Sequence, residues 1–184
     1  MQDPRSGRVI DGRGGIAVAP GRAVRMILVG PAGVTTLDAW VTPSRWRVAV
    51  PPLDLIRRGG ADEPGDLPVG FLRWWFFTPF EGTLFAGTLI EPGMLWLLRD
   101  GDAVIELRVR PCPRGERWTA ARRAHGRTEQ VDECRALPLP RPGDTVRYAD
   151  EANGMHVDIV LESVAGGPPE EEAFRDPDAP QGGS

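Results

Sequence analysis

The sequence predicts an α+β fold: a strongly curved antiparallel sheet with one or two helices in its concave face. Three observations predict it. Short apolar/polar alternations recur along most of the chain, the signature of half-buried strands. Glycine and proline punctuate them at short intervals, as in a meander of hairpins. A single stretch, Leu67–Phe80 (LPVGFLRWWFFTPF), breaks the pattern. It holds two adjacent tryptophans and four of the six phenylalanines. At helical spacing these side chains leave no polar face, and a helix that is apolar all round is normally buried on all sides. It is too short to span a bilayer, which needs about 20 apolar residues. The expected picture is therefore a sheet wrapped around an apolar helical plug.

The elements follow in order. Arg8–Val18 reads as a loose first strand, interrupted by Gly12, Gly14 and Gly15. Arg22–Val29 places Val24, Met26 and Leu28 on one face. After Gly30-Pro31-Ala32-Gly33 comes Val34–Val41, with Leu37, Ala39 and Val41 on one side. Arg45–Val50 alternates cleanly, with Trp46, Val48 and Val50 pointing in. Pro51-Pro52 ends this meander. Leu53–Arg58 reads as a short helix behind Pro52, and Gly59–Gly65 as a mobile polar loop. The aromatic helix follows. Strands then resume over Gly82–Ile90 and Met94–Arg99. Asp100-Gly101 turns the chain into Ala103–Arg110, where Ile105, Leu107 and Val109 share a face. Glu116–Leu137 favours helix by propensity, but Gly126 near its middle and its sheet neighbours favour a hairpin. Asp144–Asp150 and Met155–Val164 form a last hairpin around Asn153-Gly154, with Val157, Ile159 and Leu161 on one face. This segmentation gives about nine to eleven strands. Residues 1–165 read as one domain, and residues 166–184 as a disordered acidic tail rich in Pro and Gly.

Composition narrows the function. The chain of 184 residues is 41% hydrophobic and 26% charged, ordinary for a globular domain. A net charge of −4 argues against a nucleic-acid surface, whose footprint is usually basic. All 22 basic residues are arginine, and they are scattered through every segment. Met1–Gly7 has no apolar core, so it does not read as a signal peptide. Cys112 and Cys134 are the two cysteines. They form no metal spacing; in an oxidising compartment they would pair, and otherwise they are two ordinary thiols.

No catalytic constellation emerges. Ser44, Ser163 and Ser184 lie outside any nucleophile elbow. His156 near Asp150, Glu151 and Asp158 lacks metal-ligand spacing and reads as a surface strand residue. Gly30–Gly33 joins two strands rather than a strand and a helix, so it is no phosphate loop. The expectation is a protein that is not an enzyme and holds neither metal nor cofactor. The remaining signal is apolar excess. Met26, Leu28, Leu37, Trp46, Val48, Trp96, Leu107, Ile159 and Leu161 on the sheet, with Trp74, Trp75, Phe77 and Phe80 on the helix, are candidates for the wall of a lipid cavity. Such a wall gives non-directional affinity for acyl tails. Gly59–Gly65 would act as its hinge.

The stretch GRAVRMILVGPAGVTTLDAWVTPSRWRVAVPP from Gly21 resembles the opening strands of the LolA/LolB-like superfamily of periplasmic lipoprotein carriers and outer-membrane lipoproteins. The turn at Gly30, Pro31 and Gly33 and the strand running into proline carry the likeness. PLPRPGDTVRYADEANGMHVDIVLESV, with Tyr148 and Asp150 before the last hairpin, resembles the closing strand pair. The resemblance spans about residues 8–164 and implies a half-barrel whose concave face is plugged by helices. It also implies a periplasmic or outer-membrane location in a Gram-negative bacterium, with peripheral or lipid-anchored membrane association. As ligand it implies the acyl chains of lipid or lipoprotein, bound by a monomer. An alternative on the same fold is a structural or interaction protein of the envelope, with a filled core and envelope protein partners. A third is a cytosolic β protein of unrelated family.

Overall fold

The computed structural model describes residues 9, 11–60, 69–76, 82–113, 115–135, 141–151 and 154–178. They form two compact units, residues 11–79 with 167–184 and residues 1–10 with 80–166. Each unit is built on one antiparallel sheet, of five strands in the first and seven in the second. The expected single sheet is thus replaced by two sheets, neither closed into a barrel. Alternation along a strand reports which face is buried, not which sheet the strand joins, and that is why the sequence did not separate them.

In the first unit β1 (Arg13–Ala19), β2 (Ala23–Val29), β3 (Thr35–Val41), β4 (Arg45–Val50) and β5 (Leu55–Gly60) pair in chain order. Cross-strand pairs Val24↔Val41, Met26↔Ala39, Leu28↔Leu37 and Val41↔Trp46 put the apolar alternates of three strands on one face. All of them except Leu28 are buried. The helix α1 (Val69–Phe76) lies against β2 and β3 and buries Val69, Phe71 and Leu72. It packs on one sheet of the two, and a helix plugging a half-barrel is not supported.

The helix expected over Leu53–Arg58 is a strand. A 3-10 turn covers only Pro51–Leu53, and Asp54 at φ 47° ends it. From Leu55 the chain pairs with β4 along the whole of β5, from Val50↔Leu55 to Arg45↔Gly60. A helix of six residues is marginal by itself, whereas the open edge of β4 offers a complete ladder. Gly59 is fixed here rather than hinged. A Cβ at this position would lie 2.5 Å from the Trp46 indole, so only glycine lets the ring cross β5. Residues 61–65 of the expected loop lie outside the described residues.

The C-terminal segment differs most from expectation. Residues 171–178 are ordered on the first unit: Glu171–Phe174 form a 3-10 turn and Phe174 is buried. Composition predicts disorder here because the segment carries almost no apolar surface of its own. The β2–β4 surface supplies the missing contact, through the Trp40 Nε1–H that donates to the Phe174 carbonyl at 3.0 Å.

In the second unit β6 (Thr83–Leu89), β7 (Met94–Asp100), β8 (Ala103–Cys112), β9 (Gly115–Ala124), β10 (Arg127–Arg135), β11 (Thr145–Asp150) and β12 (Met155–Val160) form a meander in chain order. The ambiguous Glu116–Leu137 stretch forms the β9–β10 hairpin as far as Arg135, and residues 136 and 137 lie outside the described residues. Its turn residues His125 and Gly126 both have positive φ, 48° and 76°, the backbone that matches the twist of a tight hairpin. Cys112 and Cys134 form a disulfide with Cα atoms 6.3 Å apart.

Candidate functional site

The candidate wall residues divide between the two units. Met26, Leu28, Leu37, Trp46 and Val48 belong to the five-stranded sheet; Trp96, Leu107 and Ile159 lie on strands of the seven-stranded one, and Leu161 follows β12 in the same unit. Trp74 and Trp75 belong to α1, but their side chains lie outside the described residues, as do Phe77 and Phe80. Leu37 and Val48 are 0% exposed, and Met26, Trp46 and Leu107 are also buried. A cavity wide enough for an acyl chain would leave its wall accessible to a water-sized sphere. These five side chains therefore meet protein atoms in this structure. Leu28, Trp96, Ile159 and Leu161 are half-buried.

One apolar face runs across the seven-stranded sheet and ends uncovered. The pairs Ile105↔Leu98, Leu107↔Trp96 and Val109↔Met94 carry it from β8 to β7, and Leu98↔Leu84 and Met94↔Leu89 carry it to β6. Ile105, Leu107 and Val109 are buried, yet Leu84 is 58% and Leu89 83% exposed. Every residue of β6 is exposed. The extra residue Phe85 sits at a bulge between Leu84 and Ala86, is 50% exposed, and has the Arg99 guanidinium 5.5 Å from its ring centre. No strand of the described residues pairs with β6 on its outer side. The stretch Gly82–Ile90 carries no charged residue. That was the available sequence signal: a strand without a polar face in an otherwise alternating chain.

At the other end of the same face lies a polar group that the sequence reading did not assemble. The Tyr148 hydroxyl donates to Glu129 Oε1 at 3.0 Å, and Arg127 Nη2 donates to Asp150 Oδ2 at 2.8 Å. Arg122 Nη1 stands 3.8 Å from Glu129 Oε2. Pairs Val131↔Tyr148 and Glu129↔Asp150 set these side chains on neighbouring strands. Burial, followed by the charge of Glu129, pushes the Tyr148 phenol far above its ordinary range. Burial pulls Arg127 down, but the hydrogen bond and charge of Asp150 outweigh it and hold the guanidinium above its usual value. The carboxylates of the cluster face guanidinium and hydroxyl groups. Its evident work is to let charge sit in an apolar face. The trace in the sequence was the odd-numbered run Arg127, Glu129, Val131, Glu133, in which charges share a strand face with a core valine.

Comparison with protein-family models, with curated proteins and with solved structures returned no match. Among the described residues no helix is long and apolar enough to cross a membrane.

Proposed function

We propose that this chain is a non-enzymatic binding protein of the cell envelope, and that it engages partner proteins through the β6–β7 end of its seven-stranded sheet. The exposure of Leu84, Phe85 and Leu89 on a terminal strand without charge carries this reading. Proteins normally blunt such edges with lysine, proline or a covering segment. An edge left apolar and uncovered is suited to receive an extended strand from a partner. Main-chain hydrogen bonds then supply affinity, and alternate side chains supply specificity. The Cys112–Cys134 disulfide supports an oxidising compartment. The resemblance to LolA/LolB-like proteins supports the envelope in particular. The burial of Leu37, Val48 and Leu107 favours a filled interior over an acyl-chain cavity at those residues.

Binding of lipid or lipoprotein acyl chains is the second reading. It is favoured by Leu84, Leu89, Met94 and Trp96 sharing one face, on which methylene chains would lie without directional contacts. Membrane association would then be peripheral or through a lipid anchor.

Native mass spectrometry of protein purified gently from its own host separates the two. A co-purifying polypeptide that is lost from Leu84→Glu and Leu89→Glu variants is the expected result. An adduct of acyl mass lost from the same variants would transfer the surface to lipid. Adducts or partners that survive both substitutions would remove β6 as the working surface.

A further inference from the structure

The outer face of the five-stranded sheet is cationic. Arg25 lies on β2, Arg45 and Arg47 on β4 and Arg58 on β5, with Arg22 just before β2. Registers Arg25↔Trp40, Trp40↔Arg47 and Arg47↔Arg58 place three of these arginines in one row across the sheet with Trp40. Asp38, forked to Arg25 at 3.0 and 2.9 Å, shares the face. The chain's own residues 171–178 lie along it. Asp178 accepts from Arg47 Nε at 3.0 Å and from both Nε and Nη2 of Arg58 at 2.6 and 2.9 Å. Asp176 pairs with Arg45 and Glu171 with Arg22, each at 2.9 Å. Between these carboxylates Phe174 is buried, with the Arg22 guanidinium 5.4 Å from its ring centre. Trp40 fixes its carbonyl.

This pattern has the character of a bound ligand more than of a strand or core element. Residues 171–178 add no rung to the sheet. Their contacts are one aromatic anchor, hydrogen bonds from the Trp40 indole and the Arg25 guanidinium to the carbonyls of Phe174 and Ala173, and ion pairs that range from exposed to half-buried, of which the exposed ones contribute little by themselves. They follow an exposed Gly-Gly-Pro-Pro stretch, Gly166–Pro169, which serves as a tether. A tethered segment needs only weak contacts to remain bound, because its effective concentration is high. An open recess of about 280 Å³ beside Phe174, lined by Arg22, Ala23, Thr42, Glu171 and Arg175, leaves room at the anchor.

We infer that this arginine- and tryptophan-bearing face is a recognition site for acidic, phenylalanine-bearing peptide segments of partner proteins, and that residues 170–178 occupy it as a built-in competitor. Charge complementarity sets the occupant. Carboxylates spaced around one aromatic residue match guanidinium groups spaced around Trp40. The site lies on the other unit from β6, and its test is independent of how β6 is read.

The test uses the full chain and a fluorescent peptide of residues 168–180. In the wild type the tethered segment excludes the peptide. Phe174→Ala removes the anchor of the competitor and raises peptide affinity by about tenfold, as expected when an intramolecular ligand is weakened. Asp176→Asn with Asp178→Asn leaves the aromatic anchor in place, so it guards against misfolding, and it raises affinity in the same direction. Adding Arg47→Glu and Arg58→Glu abolishes binding. A peptide carrying Ala in place of its Phe binds at least several-fold more weakly, because the aromatic group is the buried contact. Three results would overturn the inference. One is no peptide uptake by either variant while hydrogen exchange reports residues 170–178 released. Another is equal binding of the Phe and Ala peptides, which would reduce the face to unspecific charge. The third is dimerisation by exchanged tails without peptide uptake, which would assign the face to a second copy of the chain.

Discussion

In the five-stranded sheet the inward alternates of β2, β3 and β4 are almost all buried, whereas β6 of the seven-stranded sheet buries no residue at all. Both sheets are antiparallel meanders in chain order, so topology does not explain the contrast. Cover does. The first sheet is finished by its own chain, with α1 against β2 and β3 and residues 171–178 on the arginine face. The second sheet carries one apolar face that is buried at β8 and bare at β6. A buried apolar face is a statement about stability, and a bare one is a statement about association.

Substitutions test that contrast. Its largest expected effect is Leu37→Ala in β3, which opens a cavity at a fully buried site and lowers stability by about 3–5 kcal/mol. The matched change Leu89→Ala in β6 stays within about 0.5 kcal/mol, as exposed positions do. Urea denaturation of both variants checks the pair, and equal losses would dissolve the distinction. Next comes the disulfide. Replacing Cys112 and Cys134 by serine releases a cross-link between residues 22 apart in sequence and removes about 3 kcal/mol. Denaturation of the wild type with and without reductant gives the same difference.

A smaller effect is pH-dependent and belongs to the buried end of the second sheet. Folding raises the Tyr148 phenol, so its contribution is complete below the ordinary tyrosine value of 10.0 and is lost as pH rises beyond it. Tyr148 is the single tyrosine of the chain, so tyrosinate absorbance reads it directly. The absorbance should rise only as the fold is lost. A reversible titration at the ordinary value in folded protein would contradict its burial. The smallest effect has the opposite sign and lies at the C-terminal segment. The hydrogen bond from Arg58, opposed by burial and aided by the charges of Arg47 and Arg58, holds the Asp178 carboxyl below its usual value. Docking of residues 171–178 is therefore intact above the ordinary carboxylate range and is lost as pH falls through the lowered value. Hydrogen exchange across 171–178 in mild acid measures it, and protection unchanged under acid would dismiss the Asp178 contacts as its cause.

Strand after strand was legible from alternation and turns. Arg45–Val50 was read with its observed limits, and the glycine of the His125–Gly126 turn decided between helix and hairpin for the stretch around it. Two local readings failed for one reason. Leu55–Gly60 became a strand and 171–178 became ordered because each met a partner distant in the fold: the free edge of β4 for one, the β2–β4 arginine face for the other. Neither partner is visible in the segment's own residues. The candidate wall residues divide between the two sheets for a similar reason. Met26 and Leu107 look alike in sequence, each an apolar alternate on a strand, and yet they are core residues of different sheets.

The features legible in the residues alone are local: the periodicity that makes strands, the glycines that turn them, the apolar helix around Phe71 and Leu72, and the uncharged run that became β6. Tertiary structure alone decided which strands share a sheet, that α1 packs on the first sheet, and that an acidic tail lies on an arginine face. It also left the apolar edge at β6 bare. The physical reason is that backbone dihedral preference and side-chain alternation act over a few residues. Strand pairing, cover and charge complementarity join residues far apart in the chain, such as Arg58 and Asp178, and are settled only when those residues meet.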